Sequence, residues 1–177
     1  MLEVREIVDL YLDTAATTGH LRSAGLRARL RVSSGGVVLT VKGRSSAMAD
    51  GVTTRMELEA PATPDLDPAA WPPSPARELL IDTLDGTPLL EIAALRQRRH
   101  VRMLRNGATK VEMSLDELSA LEAAGGVLGT RVELEAELKE GPAEPLLGLA
   151  RALAAVAGLG PPLGSKLEFA LAARAER

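Results

Sequence analysis

Gly25-Leu26-Arg27-Ala28-Arg29-Leu30-Arg31-Val32, then Ser33-Ser34-Gly35-Gly36, then Val37-Val38-Leu39-Thr40-Val41-Lys42, is the stretch that decides the fold class. Charged and apolar side chains alternate with period two, so each arm is a strand with one ionised and one apolar face. The glycine-containing turn between them makes the pair an antiparallel hairpin. The same grammar extends outward in both directions. Upstream, Met1 to Thr14 reads as a strand, followed by a polar turn over Ala15 to Gly19. Downstream, a polar loop over Gly43 to Gly51 leads to an alternating strand over Thr53 to Ala60. Pro61 to Pro75 is too rich in proline for a central strand or a regular helix, and it reads as an excursion inside one domain, with Trp71 as its anchor.

Strands resume after a short helix over Arg77 to Leu84. Leu89 to Leu104 is a long strand, turned at Asn106-Gly107 and returned by Thr109 to Leu115. Asp116 to Ala124 reads as helix, and Val127 to Leu138 as the last clear strand. Pro142 to Ala157 is an amphipathic helix, and Leu167 to Arg177 reads as a strand and tail or as the lead into a second domain. An internal repeat ties the halves together: Thr54-Arg55-Met56-Glu57-Leu58-Glu59-Ala60 returns as Thr130-Arg131-Val132-Glu133-Leu134-Glu135-Ala136. Two similar halves of this kind can close into an antiparallel barrel.

Bulk properties narrow the function. The chain has 177 residues, enough for one sizeable domain. A net charge of −3 excludes the basic balance of a simple nucleic-acid coat, and 2% aromatics argue against base-stacking platforms. Without cysteine there is no disulfide, thiolate metal site or cysteine nucleophile. No apolar run is long enough for a membrane span, and the start lacks a secretory layout, so a cytoplasmic location without a membrane partner is expected.

The charged faces carry the functional signal. Arg27, Arg29 and Arg31 share one face of their strand, and Thr40 and Lys42 align on the next. Arg55, Glu57 and Glu59 form another row, as do Arg96, Arg98 and His100, then Lys110, Glu112 and Ser114, then Glu133, Glu135 and Glu137. Rows of like charge repel, and they become useful when an ion of opposite sign sits between them. A short polyphosphate suits both kinds of row. Arginine forks take its oxygens in pairs, and carboxylates take the Mg²⁺ or Mn²⁺ that neutralises the rest. His20 and His100 read as incidental, and Asp13 and Asp116 as turn or cap residues.

These residues resemble the triphosphate tunnel enzymes of the CYTH superfamily. Tyr11-Leu12-Asp13-Thr14 is similar to the family's Tyr-Phe-Asp-Thr-Pro, with Ala15 in place of proline, and Gly25 through Arg31 to its Leu-Arg-x-Arg strand. Leu39 through Gly43 resembles Leu-Thr-Leu-Lys-Gly, and Arg55 through Glu59 fits Arg-x-Glu-x-Glu. Arg96-Gln97-Arg98 falls where the family has a basic pair, and Glu112 through Asp116 resembles Glu-x-Ser-Leu-Asp. Glu133 through Glu137 is similar to Glu-Leu-Glu-Leu-Glu, and Ser165-Lys166 fits a late Ser-Lys motif.

The resemblance implies an α+β fold, a closed antiparallel barrel with peripheral helices over residues 1–172 and a tail over 173–177. It implies metal-dependent hydrolysis of a triphosphate, most simply inorganic tripolyphosphate. Arg29, Arg31, Lys42, Arg55, Arg96, Arg98 and Lys166 would hold phosphate, and Glu133 and Glu135 the metal. Lys42, Glu57, Glu59 and Glu112 would serve catalysis. The family's opening Glu-x-Glu-x-Lys strand has no counterpart before Asp13, which implies either a truncated start or a non-catalytic phosphate-binding relative; truncation is the expectation, because unpaired barrel edges invite association. A homodimer, and a C-terminal CHAD domain in a longer parent chain, are the protein partners compatible with this reading. Nucleic acid is not expected. Replacing Arg29 and Arg31 by alanine is expected to abolish anion binding with the fold intact.

Overall fold

A computed structural model describes residues 2–16, 18–49, 52–161 and 163–176. Seven strands form one antiparallel sheet: β1 (Glu3–Asp13), β2 (Arg27–Ser33), β3 (Gly36–Lys42), β6 (Glu57–Ala62), β7 (Leu90–Asn106), β8 (Thr109–Leu121) and β9 (Val127–Glu140). Between β3 and β6, β4 (Ser46–Ala47) and β5 (Thr53–Thr54) pair with each other in a small ribbon. Four helices accompany them: α1 (His20–Ser23), α2 (Pro75–Leu84), α3 (Glu144–Ala154) and α4 (Lys166–Ala175).

The strand order β6-β3-β2-β1-β7-β8-β9 places β1 at the centre and the two copies of the repeat, β6 and β9, at opposite edges. Each half runs outward from β1 as an arginine-bearing strand, its hairpin partner, and a glutamate-rich strand. The predicted internal symmetry is therefore present, but the predicted closure is not. Among the described residues β6 and β9 pair with nothing on their outer sides, so the barrel is an open sheet.

Turn chemistry fixes the register. Gly36 takes φ 112° beside Ser33, and Gly107 takes φ 58° between the paired Asn106 and Thr109. Both are positive-φ conformations that favour glycine. Helix α2 starts where Pro75 follows Ser74, whose hydroxyl accepts from Arg77 N at 3.2 Å. The predicted helix over Asp116 to Ala124 is instead the far half of β8 up to Leu121, paired on both sides with β7 and β9, followed by a turn. Ladder hydrogen bonds on two edges outweigh the modest helix preference of Asp116, Glu117 and Leu118. The segment read as a closing strand is α4, which continues through position 172 to Ala175.

Two apolar clusters lie on opposite faces of the sheet. Leu30, Leu39 and Val41 are fully buried against Leu80, Leu84 and Trp71, so α1, α2 and the proline segment cover the face opposite the arginines of β2. Each such side chain contributes roughly 1.5–3 kcal/mol by burial. Trp71 donates its indole N–H to Asp65 O at 2.8 Å and is the predicted anchor. The second cluster joins Tyr11, Ala93, Leu95, Leu118 and Ala120 to Leu167 and Ala170 of α4. By register these sheet residues share the face of Asp9 and Arg29, so α4 covers one end of the ionic face and brings Lys166 onto it. No helix among the described residues is long and apolar enough to cross a membrane.

Candidate phosphate and metal site

Period-two geometry carries one face across all seven strands. Register aligns Glu59 with Thr40, Thr40 with Arg29 and Arg29 with Tyr11 on one side of the centre. On the other side it aligns Arg5 with Arg99, Arg99 with Asp116 and Asp116 with Glu133. One row farther along β8 and β9, Ser114 faces Glu135 and Glu112 faces Glu137. The sheet thus gathers nearly all the predicted site residues on one surface.

The cationic half is organised by a carboxylate that the motif reading does not single out. Asp9 is fully buried and accepts from Arg29 Nη1 at 2.9 Å, from Arg31 Nε at 2.8 Å and from Arg31 Nη2 at 2.9 Å, with Gln97 Nε2 as a further donor. Burial alone would raise its pKa, but the Arg31 hydrogen bond and the Arg29 charge outweigh that and hold it below the usual range. Arg29 Nε is buried and, among the described residues, has no hydrogen-bond partner.

Lys42 faces Glu57 at 2.9 Å, and Thr40 donates to Glu59 at 3.1 Å. Burial, reinforced by the charge of Arg29, pulls the Lys42 ammonium down to about 8. Tyr11 is pushed up to about 12 by burial and by the Asp9 charge. Arg55 lies just before β6, its Nε 3.9 Å from Glu57.

The carboxylate half is built on Asp116, Glu133 and Glu135, each offering one oxygen, with all three oxygens within 4.8 Å of one another. An all-oxygen, all-carboxylate set suits a hard cation such as Mg²⁺ or Mn²⁺, so these residues fit the expected metal. Arg99 donates to both oxygens of Asp116, at 2.8 and 2.6 Å, and also to Glu135. Lys166 Nζ lies 2.6 Å from Asp116, 2.8 Å from Glu135 and 3.1 Å from Glu133. Glu112 lies 3.3 Å from Arg5 and 3.9 Å from Arg99, and Arg131 pairs with Glu133 at 2.7 Å while stacking on Phe169.

Burial opposes the ionisation of Asp116, but the Arg99 hydrogen bond and the Lys166 charge prevail, leaving its pKa at about 2 against an ordinary 3.8. Because the folded value is the lower one, the associated stability is present above pH 4 and is lost as pH falls from about 4 to about 2. Thermal melts should show stability falling as the pH drops through that range. A melting temperature that stays flat between pH 4 and pH 2 would contradict the pairing.

Arg96 and Arg98 are a correction. They project from the opposite face of β7, beside Glu6, Glu117 and Ser119, and Arg98 reaches Glu6 at 3.5 Å. The residues of that strand on the site's face are Gln97 and Arg99, both buried. His100 is on the outward side too, 3.0 Å from Glu117. Asp13 is the predicted cap: its carboxylate accepts from Leu21 N at 3.0 Å and from Arg22 Nε at 2.9 Å. Asp116 is not a cap, and the Glu112-x-Ser114-x-Asp116 alternation is the signal that identifies it.

Structural comparison finds the same fold in several solved proteins, three of which follow. A candidate adenylyl cyclase from Hippeastrum, HpAC1, which reveals a dominant triphosphatase activity, superposes with a TM-score of 0.71 at 21% identity, over 96% of this chain and 83% of that one. A candidate adenylate cyclase from Bacillus halodurans gives 0.64 at 18%, over 94% and 82%. The PH1819 protein from Pyrococcus horikoshii OT3 gives 0.52 at 23%, over 97% and 87%. A comparison with curated proteins finds no match. The sequence model of the CYTH domain matches residues 2–168, nearly the whole length, and with the fold it establishes that this chain belongs to the CYTH domain family.

Proposed function

We propose that the chain hydrolyses a triphosphate, with inorganic tripolyphosphate the simplest substrate, in the presence of Mg²⁺ or Mn²⁺. The observation that carries this reading is the pairing, on one sheet face, of a buried arginine clamp that keeps an unpartnered donor with a trio of clustered carboxylates. The dominant triphosphatase activity of the Hippeastrum neighbour favours hydrolysis over cyclisation.

Arg29 and Arg31 bind phosphate oxygens through the guanidinium N–H groups that Asp9 does not take, with Lys42 and Arg55 at the β3–β6 side and Lys166 at the opposite side. Asp116, Glu133 and Glu135 hold the metal, which when bound neutralises phosphate charge and polarises its oxygens. Glu57, Glu59 and Glu112 orient water for in-line attack on a terminal phosphorus. Transfer of this kind relies on positioning and charge stabilisation more than on a reactive side chain, which suits a face without cysteine or histidine. A phosphate-bearing partner follows from this reading, and a cytoplasmic location and a downstream CHAD domain are compatible with it.

Phosphate release from tripolyphosphate, measured with Mg²⁺ or Mn²⁺ and again with excess EDTA, tests the proposal. Release that requires the metal is expected. Above pH 8 the Lys42 ammonium loses its proton, so substrate affinity should fall by up to about tenfold from pH 7 to pH 9, and Lys42→Met should flatten that profile. Tight binding without release would assign a binding module instead, and cyclic AMP plus pyrophosphate from ATP would assign a cyclase.

A further inference from the structure

The carboxylate trio already surrounds a positive charge. Lys166 Nζ contacts Asp116, Glu135 and Glu133 at 2.6, 2.8 and 3.1 Å, so one ammonium engages all three of the residues that cluster for a cation. Its side chain is only 9% exposed. A divalent ion binding the same oxygens at roughly 2.1 Å would lie almost in contact with that nitrogen. Two cations cannot share the position.

Charge matching points the same way. Asp116, Glu133, Glu135 and Glu112, with Glu3 beside Arg5, are five carboxylates facing the four cations Lys166, Arg99, Arg131 and Arg5. Entry of a divalent ion leaves a surplus of positive charge unless one cation departs or an anion arrives. Arg99 grips both oxygens of Asp116 through a planar fork and is poorly suited to leave. Lys166 is suited. Its backbone is fixed at the first turn of α4 by the Ser165–Glu168 capping box and by buried Leu167 and Ala170, while its unbranched four-carbon stem supplies several rotatable bonds beyond that anchor. It is also near enough for its charge to act on Asp9, at the centre of the arginine clamp.

We propose that Lys166 is a tethered stand-in for the divalent cation. It fills the carboxylate cage when no metal is bound, is displaced when metal enters, and passes to the triphosphate. Metal loading and anion capture are thereby coupled, and by linkage each raises the affinity for the other. This rests on the metal assignment under the proposed function.

Brief acetylation of the metal-free, full chain with acetic anhydride, read residue by residue by mass spectrometry, tests the handover. Lys139, 39% exposed, serves as the internal reference. Lys166 should react slowly without metal and at least about tenfold faster with saturating Mn²⁺, in keeping with ordinary coupling between sites. It should be protected again when tripolyphosphate is added to the Mn²⁺-loaded chain. Calorimetry run in parallel shows whether Mn²⁺ binds. Binding of Mn²⁺ with Lys166 still protected would overturn the handover and leave the proposed function standing; no Mn²⁺ binding would overturn the handover too, and the phosphate-release assay then decides the proposed function separately. Lys166→Gln, checked for folding by circular dichroism, should bind Mn²⁺ about tenfold more tightly, and unchanged or weaker Mn²⁺ binding by the folded variant would overturn the stand-in role.

Discussion

Arg29→Ala combined with Arg31→Ala is expected to remove measurable tripolyphosphate binding and also to lower stability by about 3–5 kcal/mol. The first effect follows from deleting the clamp. The second follows from Asp9, which is fully buried and takes three of its hydrogen bonds from these two guanidinium groups. With both gone, Gln97 is the remaining hydrogen-bond donor to this buried carboxylate among the described residues. The sequence-based expectation of an intact fold is thus revised, because the arginines neutralise a core charge as well as waiting for a ligand. Adding Asp9→Asn separates the two roles: stability should return in large part while binding stays lost. Arg96→Ala and Arg98→Ala are the matched controls, and their outward placement predicts unchanged affinity. Calorimetry and urea melts read both quantities. Tripolyphosphate binding by the triple variant at wild-type affinity would remove Arg29 and Arg31 from the site.

Asp116→Asn should be the most damaging single change in the carboxylate half. Asp116 is fully buried and pairs at once with Arg99 and Lys166, so neutralising it leaves two cations with weakened partners and costs about 3–5 kcal/mol. Mn²⁺ affinity should fall at least about tenfold. Glu133→Gln should lower metal affinity with a smaller stability loss, since Glu133 is partly exposed. An Asp116→Asn chain with wild-type Mn²⁺ titration would place the metal elsewhere.

Most of this face is legible from alternation alone. In β2 the arginines fall at every second residue between small and apolar side chains, so their common side follows at once, and the repeat foretells the two glutamate-rich edges. The failure on β7 has a definite cause. Arginine occupies 96, 98, 99 and 102, so charge does not mark the strand's parity; the apolar residues Ala93, Leu95 and Val101 do, and they put Gln97 and Arg99 inward. A slip of one residue moves a whole row to the other side. On β8, Leu115, Leu118 and Leu121 mimic helical spacing, and only pairing with two neighbours shows them to be strand residues. Asp9 is hidden for another reason: a single acid in a strand gains meaning only from the arginines that tertiary structure sets beside it. Closure is likewise beyond alternation, which fixes faces and leaves the outer pairing of the edge strands open.

A crystal structure of the chain with Mn²⁺ and tripolyphosphate, using manganese anomalous scattering, tests the central claim most directly. The expected result is a manganese peak between Asp116, Glu133 and Glu135, with phosphate density against Arg29 and Arg31 on the same sheet face. Manganese and phosphate bound instead beside Arg96 and Arg98, with the inward face unchanged, would contradict it.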